Sequence, residues 1–176
     1  MIPIPEGKSQ RLRFEPLVHG HAVSLSEALL DPAVYAPFGK TPPKSVEALI
    51  ALIQRWSAGP PANRPTERWW NIAVFSLDDN CGLGRLEATI IDDRAEIAYL
   101  FGSKHWGKGY ALEAMRWFQD RLAEDGAASK LWATITPGNE RSVRLVQRLG
   151  YVPVNSGWPD LCTYDEGDIV FCRDVA

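Results

Sequence analysis

A strand, a short loop with two glycines and an amphipathic helix follow one another in the middle of the chain. The loop and its flanks, Glu96–Gly109, read E-I-A-Y-L-F-G-S-K-H-W-G-K-G. The first N–H groups of a helix lack internal partners and lie at the positive end of its dipole. Gly107 and Gly109 permit close approach to the backbone, and Lys104 and Lys108 add positive charge. The segment therefore predicts an anion site suited to a pyrophosphate.

Three alternatives bear on this loop. A dinucleotide-binding G-x-G-x-x-G would need a glycine at Leu112 and an acid at the end of the next strand, where 133–136 reads A-T-I-T. A P-loop would need Ser or Thr after Lys108, where the chain has Gly109. The remaining alternative is that the two glycines only shape a turn.

The rest of the chain predicts an α+β (mixed α/β) fold of one domain, residues 1–176. Hydrophobic periodicity predicts helices at 24–30, 44–56, 107–124 and 139–149, with an irregular segment at 31–43. It predicts strands at 10–18, 68–77, 81–91, 94–102, 130–136, 151–154 and 164–173. The three strands between 68 and 102 are closely spaced, which is typical of an antiparallel meander.

Composition excludes several classes of protein. With 19 Lys+Arg against 22 Asp+Glu the net charge is −3, which argues against a nucleic-acid partner. The longest nearly apolar stretch, 46–53, is far short of the ~20 residues of a membrane span. The three cysteines form no metal or disulfide pattern, and His19 and His21 lack a third ligand in register, so we expect no metal. With no visible secretory signal, we expect a cytoplasmic protein.

A second motif, Asn139-x-x-Ser142, follows the loop by about thirty residues and precedes Gly150-Tyr151. Together with the 104–109 loop it resembles the GNAT acetyltransferase superfamily, whose signature is [Q/R]-x-x-G-x-[G/A], then N-x-x-[S/A], then G-[F/Y]. The run W-G-K-G-Y-A-L-E-A and Ser142 look most like the RimJ/RimL branch. The resemblance is strong over roughly residues 94–152.

The resemblance implies a central, mostly antiparallel twisted sheet of about six to seven strands with helices on both faces. In the family, a bulge splays the fourth strand from the fifth and opens a V-shaped slot. A backbone N–H there would polarise the thioester carbonyl of acetyl-CoA, the implied co-substrate. The implied cofactor-binding residues are Tyr99, Leu100, Phe101, Lys104, His105, Trp106, Gly107, Lys108, Gly109, Tyr110, Ala111, Asn139 and Ser142.

The implied reaction is N-acetylation of a primary amine, in a protein N-terminus or a small molecule, by direct attack in a ternary complex. Glu96 and Glu87, on adjacent strands, are the candidate general bases, and solvated strand carboxylates are the alternative. Ser142 could donate a hydrogen bond to the leaving sulfur or serve only as a cap. Asn139 could likewise bind pantetheine or act only as an N-cap.

Two positions depart from the family. Lys104 replaces the usual Gln or Arg of the loop, and Val146 stands where many members carry a tyrosine acid. An acyl-CoA-binding or sensor module, with the slot but without catalysis, is therefore an alternative function. A nucleotide-binding regulatory domain is a third.

Further residues are candidates for the edges of the site. The arginines at 141, 144 and 148 share a helix face that meets either the cofactor's 3′-phosphate or solvent. Trp69, Trp70 and the 35–38 segment either line the acceptor pocket or pack in the core. The chain is expected to be a monomer or a homodimer with no membrane partner.

Overall fold

The architecture is an open eight-stranded sheet flanked by helices, seen in a computed structural model that describes residues 3–175. In chain order the strands are β1 (Gly7–Lys8), β2 (Leu12–Pro16), β3 (Glu67–Ser76), β4 (Gly82–Ile91), β5 (Arg94–Phe101), β6 (Lys130–Ile135), β7 (Val152–Val154) and β8 (Ile169–Asp174). Their order in the sheet is β1-β2-β3-β4-β5-β6-β8-β7. Each neighbouring pair is antiparallel except β5 and β6, which are parallel. This confirms the predicted meander and the mostly antiparallel sheet.

Five α-helices lie within residues 3–175. They are α1 (Ala22–Leu29), α2 (Pro32–Tyr35), α3 (Val46–Ser57), α4 (Tyr110–Glu124) and α5 (Glu140–Arg148). Alternate side chains of β3 point to opposite faces. Ile72 and Val74 join the core cluster beneath α4 and α5, whereas Ala73 and Phe75 join the cluster beneath α1 and α3. None of the helices within residues 3–175 combines the length and apolarity needed to cross a bilayer.

The parallel pair β5–β6 opens into a V. The two strands pair at Arg94↔Lys130, Ala95↔Leu131 and Glu96↔Trp132, and the register ends there. β5 nevertheless continues to Phe101 and β6 to Ile135. The fourth and fifth strands predicted from the sequence, 94–102 and 130–136, correspond to β5 and β6, so the predicted splay is confirmed. It leaves the edge of β5 that faces β6 unpaired by β6 beyond Glu96.

The bulge expected in this strand is in a different place. The β4–β5 ladder runs from Ile91↔Arg94 to Gly84↔Phe101 with no break in register. The recorded shift lies between β3 and β4, at Val74/Phe75. The splay therefore comes from the divergence of β6, whose other edge is paired with β8 along its whole length.

Several predicted boundaries are wrong for local reasons. The sheet has eight strands because Gly7–Lys8 pairs with β2. The segment 31–43 is not wholly irregular, since Asp31 caps α2 by accepting a hydrogen bond from Ala33 N–H at 2.9 Å. Helix α4 begins at Tyr110 because Gly109 is left-handed, with φ +81°. The last strand begins at Ile169, because the segment before it forms a loop.

Candidate functional site

Two adjoining cavities occupy the V between β5 and β6. The first cavity, about 390 Å³, lies between the 103–109 loop, the first turn of α4 and one face of α5. The second cavity, about 510 Å³, lies between α3, the 38–43 segment, β4, β5, β6 and the loop after β7. Both cavities are lined by Phe38, Tyr99, Leu100, Asn139 and Ser142. A ligand in one cavity would therefore meet a ligand in the other at these shared residues.

Backbone donors form one end of the first cavity. Gly107 and Gly109 adopt positive φ values of +75° and +81°, and in the described part of the chain no side chain caps α4. The N–H groups of the first three helical residues, 110–112, have no partner within the helix. Within residues 3–175 no hydrogen bond takes up the N–H groups of Gly107, Lys108 or Gly109. Consecutive unpaired N–H groups of this kind form a concave site for an anion.

The two lysines of the loop do not line the first cavity. Lys104 forms an ion pair with Glu27 of α1, which raises the pKa of Lys104, and it does not line the first cavity. Lys108 is exposed and does not line it either. His105 does line it, and burial lowers the pKa of its imidazole.

The cationic side chains that line the first cavity are arginines of α5. All three members of the predicted stripe, at 141, 144 and 148, line the first cavity. The guanidinium of Arg141 lies 3.6 Å from the centre of the Trp106 ring. The Trp106 indole in turn donates a hydrogen bond to the carbonyl of Phe101 at 2.8 Å, which joins the loop to the end of β5.

Asn139 and Ser142 lie at the junction of the two cavities. The Asn139 Oδ1 accepts a hydrogen bond from Ser142 N–H at 3.3 Å and caps α5. This leaves the amide NH2 of Asn139 and the hydroxyl of Ser142 for other partners. Val146, one turn further along, is fully buried in the core.

Tyr99 brings a buried hydroxyl to the same junction. No hydrogen bond of normal geometry within the described chain takes up this hydroxyl. Burial raises the pKa of Tyr99 to about 12, although the nearby hydroxyl of Ser142 opposes the shift. Tyr99 is therefore a neutral hydrogen-bond donor at physiological pH.

Glu96 does not line either cavity. Its side chain is buried, and its carboxylate accepts hydrogen bonds from the N–H groups of Cys162 at 2.7 Å and Thr163 at 2.6 Å, and from the Thr163 hydroxyl. The geometry thus favours a structural role for Glu96 over the predicted role of general base. The 161–168 loop that it anchors carries Thr163, Asp165 and Asp168 to the second cavity. No sequence signal pointed to this loop.

Glu87 does line the second cavity. It forms an ion pair with Arg85, two residues earlier on the same face of β4. Arg85 also donates to Asn71 Oδ1 at 2.9 Å, and its guanidinium lies 3.7 Å from the centre of the Trp56 ring. The alternation of side chains along β4 is enough to predict that Arg85 lies beside Glu87. The contact between Arg85 and Trp56 of α3 has no local signal in the sequence.

The aromatic candidates divide between the second cavity and the core. Tyr35 and Phe38 line the second cavity. Trp70 is a core residue, 1% exposed. Trp69 lines neither cavity, and its indole donates to Glu67 at 2.8 Å. Among residues 3–175 no three His, Cys, Asp or Glu side chains group as metal ligands would.

Comparison with known proteins gives a consistent assignment. Residues 11–152 match the family model described as the acetyltransferase (GNAT) domain. The chain is 42% identical over 98 residues to the Bacillus subtilis (strain 168) protein YkkB, an alignment that spans half of this chain and 55% of that protein. It is 28% identical over 149 residues to a Bacillus licheniformis protein described as the uncharacterized N-acetyltransferase p20, covering 81% of this chain and 80% of that one.

A solved structure extends the likeness of fold to nearly the whole chain. It is an acetyltransferase from Salmonella typhimurium described as modifying the N-terminal serine of 50S ribosomal subunit protein L7/L12. The TM-score is 0.75, with 99% of each chain covered and 16% identity. At that identity the likeness is one of fold.

Proposed function

This chain belongs to the GNAT acetyltransferase family, and from that premise we propose that it is an acyltransferase that moves an acetyl group from acetyl-CoA to a primary amine. The observation that carries the proposal is the meeting of two cavities at Tyr99 and Ser142, inside the V between β5 and β6. Of the residues described, no cysteine lines either cavity. A direct attack by the amine in a ternary complex is therefore favoured over an acyl-cysteine intermediate.

The first cavity fits a CoA thioester by the chemistry of its walls. The unpaired N–H groups of 107–112 would hold the pyrophosphate. The arginines of α5 suit a further phosphate. The edge of β5 near Tyr99–Phe101 is not paired by β6, so it can take an added extended chain such as the pantetheine arm. CoA supplies the activated acyl group as a thioester.

The second cavity would hold the amine. In the reaction the amine nitrogen bonds to the thioester carbonyl carbon, the C–S bond breaks, and the nitrogen gives up a proton. Because an alkyl ammonium titrates near pH ~10.4, the amine must lose its ammonium proton before it can attack, and a carboxylate that accepts that proton supplies the neutral nucleophile. The proton that the nitrogen gives up after the attack passes to the leaving thiolate. Glu87 is the proposed base, since Glu96 spends both oxygens on the 162–163 backbone.

Ser142 and Tyr99 would act on the leaving sulfur. A CoA thiolate has a conjugate acid of pKa near that of cysteine, about 8.5, so a hydrogen bond is sufficient help. The Ser142 hydroxyl does not cap α5, and within residues 3–175 the Tyr99 hydroxyl has no hydrogen-bond partner of normal geometry. These two hydroxyls would take the role of the tyrosine acid that many family members carry at the position of Val146.

A module that binds acyl-CoA without catalysis is the second candidate function. Val146 favours it, because a buried valine cannot donate a proton. The same cavities serve both functions, so the two differ only in turnover.

A ligand titration followed by an acceptor screen tests both. Acetyl-CoA and CoA at about 100 times Kd should stabilise the protein by about 2.7 kcal/mol, a rise in Tm of roughly 5–10 °C, whereas NAD and ATP should not. Release of free thiol is then measured with peptides bearing N-terminal serine or alanine, diamines and amino sugars. Turnover with any of these supports the acetyltransferase. Binding without turnover across the panel supports the sensor, and no shift at millimolar ligand contradicts both.

A further inference from the structure

We propose that Arg11, in the turn between β1 and β2, is a positioning residue that orients the Lys108–Gly109 peptide so that its N–H faces the acyl donor's pyrophosphate. The inference rests on the proposed function, because it assigns a residue to the donor site. Arg11 does not line the first cavity, so it acts through the loop.

Arg11 makes four contacts with the loop and the first turns of α4. Its guanidinium donates to the carbonyl of Lys108 at 3.0 Å and to Glu113 Oε2 at 2.7 Å. Its backbone N–H donates to Glu113 Oε1, also at 2.7 Å. The guanidinium carbon lies 4.6 Å from the centre of the Tyr110 ring. These contacts fix one guanidinium against both the loop and the helix.

The contact with Lys108 determines where the next N–H points. A trans peptide is planar, and its C=O and N–H groups point in opposite directions. With the Lys108 carbonyl held on Arg11, the Gly109 N–H points away from Arg11. Within the described chain that N–H has no hydrogen-bond partner. It is therefore presented, without rotation of the peptide, to an anion at the N-terminus of α4.

Arg11 also compensates an unfavourable negative charge, that of Glu113. Glu113 is the acid in the first turn of α4, close to where the phosphates would bind. Burial alone would raise the pKa of Glu113, but hydrogen bonds from Ser9 and Arg11 outweigh it and hold the pKa below its ordinary value. Glu113 is thus a carboxylate whose oxygens are turned to Ser9 and Arg11 instead of to the ligand.

The cation that contacts the loop backbone is not the lysine at the head of the loop. Lys104, at the head of the loop, is paired with Glu27 and points out of the site. The cation that contacts the loop backbone comes instead from a residue nearly a hundred positions earlier.

The test compares two donors that differ in the pyrophosphate. Acetyl-CoA contains it, and S-acetylpantetheine does not. Arg11→Ala should raise the Kd for CoA, measured by isothermal titration, and the KM for acetyl-CoA about ten-fold or more, the loss expected for a charge-assisted hydrogen bond. It should leave kcat, the acceptor KM and the KM for S-acetylpantetheine unchanged. Arg11→Lys, which keeps the charge but not the fork, should also raise KM for acetyl-CoA.

Arg13→Ala is the matched control, since Arg13 lies on the neighbouring strand β2 and contacts Asn80, Glu15 and Phe75 instead of the loop. An equal loss with both donors, or an unchanged KM for acetyl-CoA, overturns the proposal. Unfolding of both Arg11 variants also overturns it, because a positioning role leaves the fold intact. Absence of acetyl-CoA binding by the unmodified protein is a different result, which contradicts the proposed function.

Discussion

The carboxylate of Glu96 holds the backbone N–H of Thr163 at 2.6 Å, across 67 positions of the chain. The hydrogen bonds from Cys162 and the Thr163 hydroxyl complete the contact. Thr163 is further tied to Thr134 of β6 by a contact of 2.8 Å between the two hydroxyls. A side chain that sequence reasoning placed in catalysis thus fixes a loop at the mouth of the second cavity.

Glu96→Gln should loosen this loop. The amide keeps one acceptor oxygen and sets an NH2 against a backbone donor, a mismatch of about 1–3 kcal/mol. We expect Tm to fall by several degrees and the acceptor KM to rise, with KM for acetyl-CoA unchanged. Thermal unfolding and steady-state kinetics measure both, and the exposed Glu124→Gln is the control. A fall in kcat of a hundred-fold or more at unchanged Tm would restore Glu96 as the base.

Alanine variants of Asn139 and Ser142 should distinguish a helix cap, whose loss lowers stability, from a catalytic hydroxyl, whose loss lowers kcat. Asn139→Ala removes the cap of α5 and should cost about 1 kcal/mol of stability. Ser142→Ala removes a hydroxyl that caps nothing, so Tm should stay the same while kcat falls by up to about ten-fold. Calorimetry and thiol-release assays on the pair distinguish the two. An unchanged kcat in Ser142→Ala would remove the serine from the mechanism.

Tyr99→Phe should have opposite effects on stability and turnover. Among the residues that the structure describes, the buried hydroxyl has no hydrogen-bond partner of normal geometry, so its removal at pH 7 should leave stability equal or greater, while kcat falls. At high pH the stability of Tyr99→Phe should rise further relative to that of the unmodified protein. An unfolded tyrosine titrates near pH ~10, whereas burial raises the pKa of Tyr99 to about 12.

Between these two values the folded state holds a proton that the unfolded state has lost, so stability falls as pH rises. The fall should be smaller in Tyr99→Phe. The slope that remains comes from the other phenols and thiols whose pKa values burial raises, which are Tyr35, Tyr151, Cys81 and Cys162. Urea unfolding from pH 8 to pH 11 measures the difference, with Tyr164→Phe as the control for loss of a phenol. An identical slope in Tyr99→Phe and the unmodified protein would contradict this account.

The sequence predicts those parts of the site whose signals are local. The left-handed glycines at 107 and 109 and the Asn139 cap depend on neighbours within a few residues. The splay followed from the family resemblance and not from periodicity. The direction of Lys104 could not be predicted, because it is set by Glu27, 77 positions earlier.

The same limit applies to Glu96, whose alternation with Ile97 fits either a catalytic or a structural carboxylate. Its partners in the 162–163 segment lie in a loop without periodicity. The single domain expected for residues 1–176, the base and the acceptor remain predictions. The base and the acceptor depend on contacts with ligands, and the single domain depends on packing between distant segments. Short sequence patterns encode neither.

The arginines of α5 should distinguish CoA from 3′-dephospho-CoA. Arg144 and Arg148 line the first cavity from the same helix face, and a phosphate contact by a guanidinium is worth more than a solvated charge. We expect the unmodified protein to bind CoA at least several-fold more tightly than dephospho-CoA. The Arg144→Ala/Arg148→Ala double variant should bind the two ligands nearly equally, with the loss confined to CoA. Arg141 is left in place because it stacks on Trp106.

Isothermal titration at two salt concentrations measures this preference. The preference for CoA should shrink at high salt, because partly exposed charge pairs are screened. Arg116→Ala, on α4 and outside the first cavity, is the control and should keep the full preference. If the double variant lost affinity for both ligands equally, the arginines would act on the pyrophosphate or on the fold, and the 3′-phosphate assignment would be wrong.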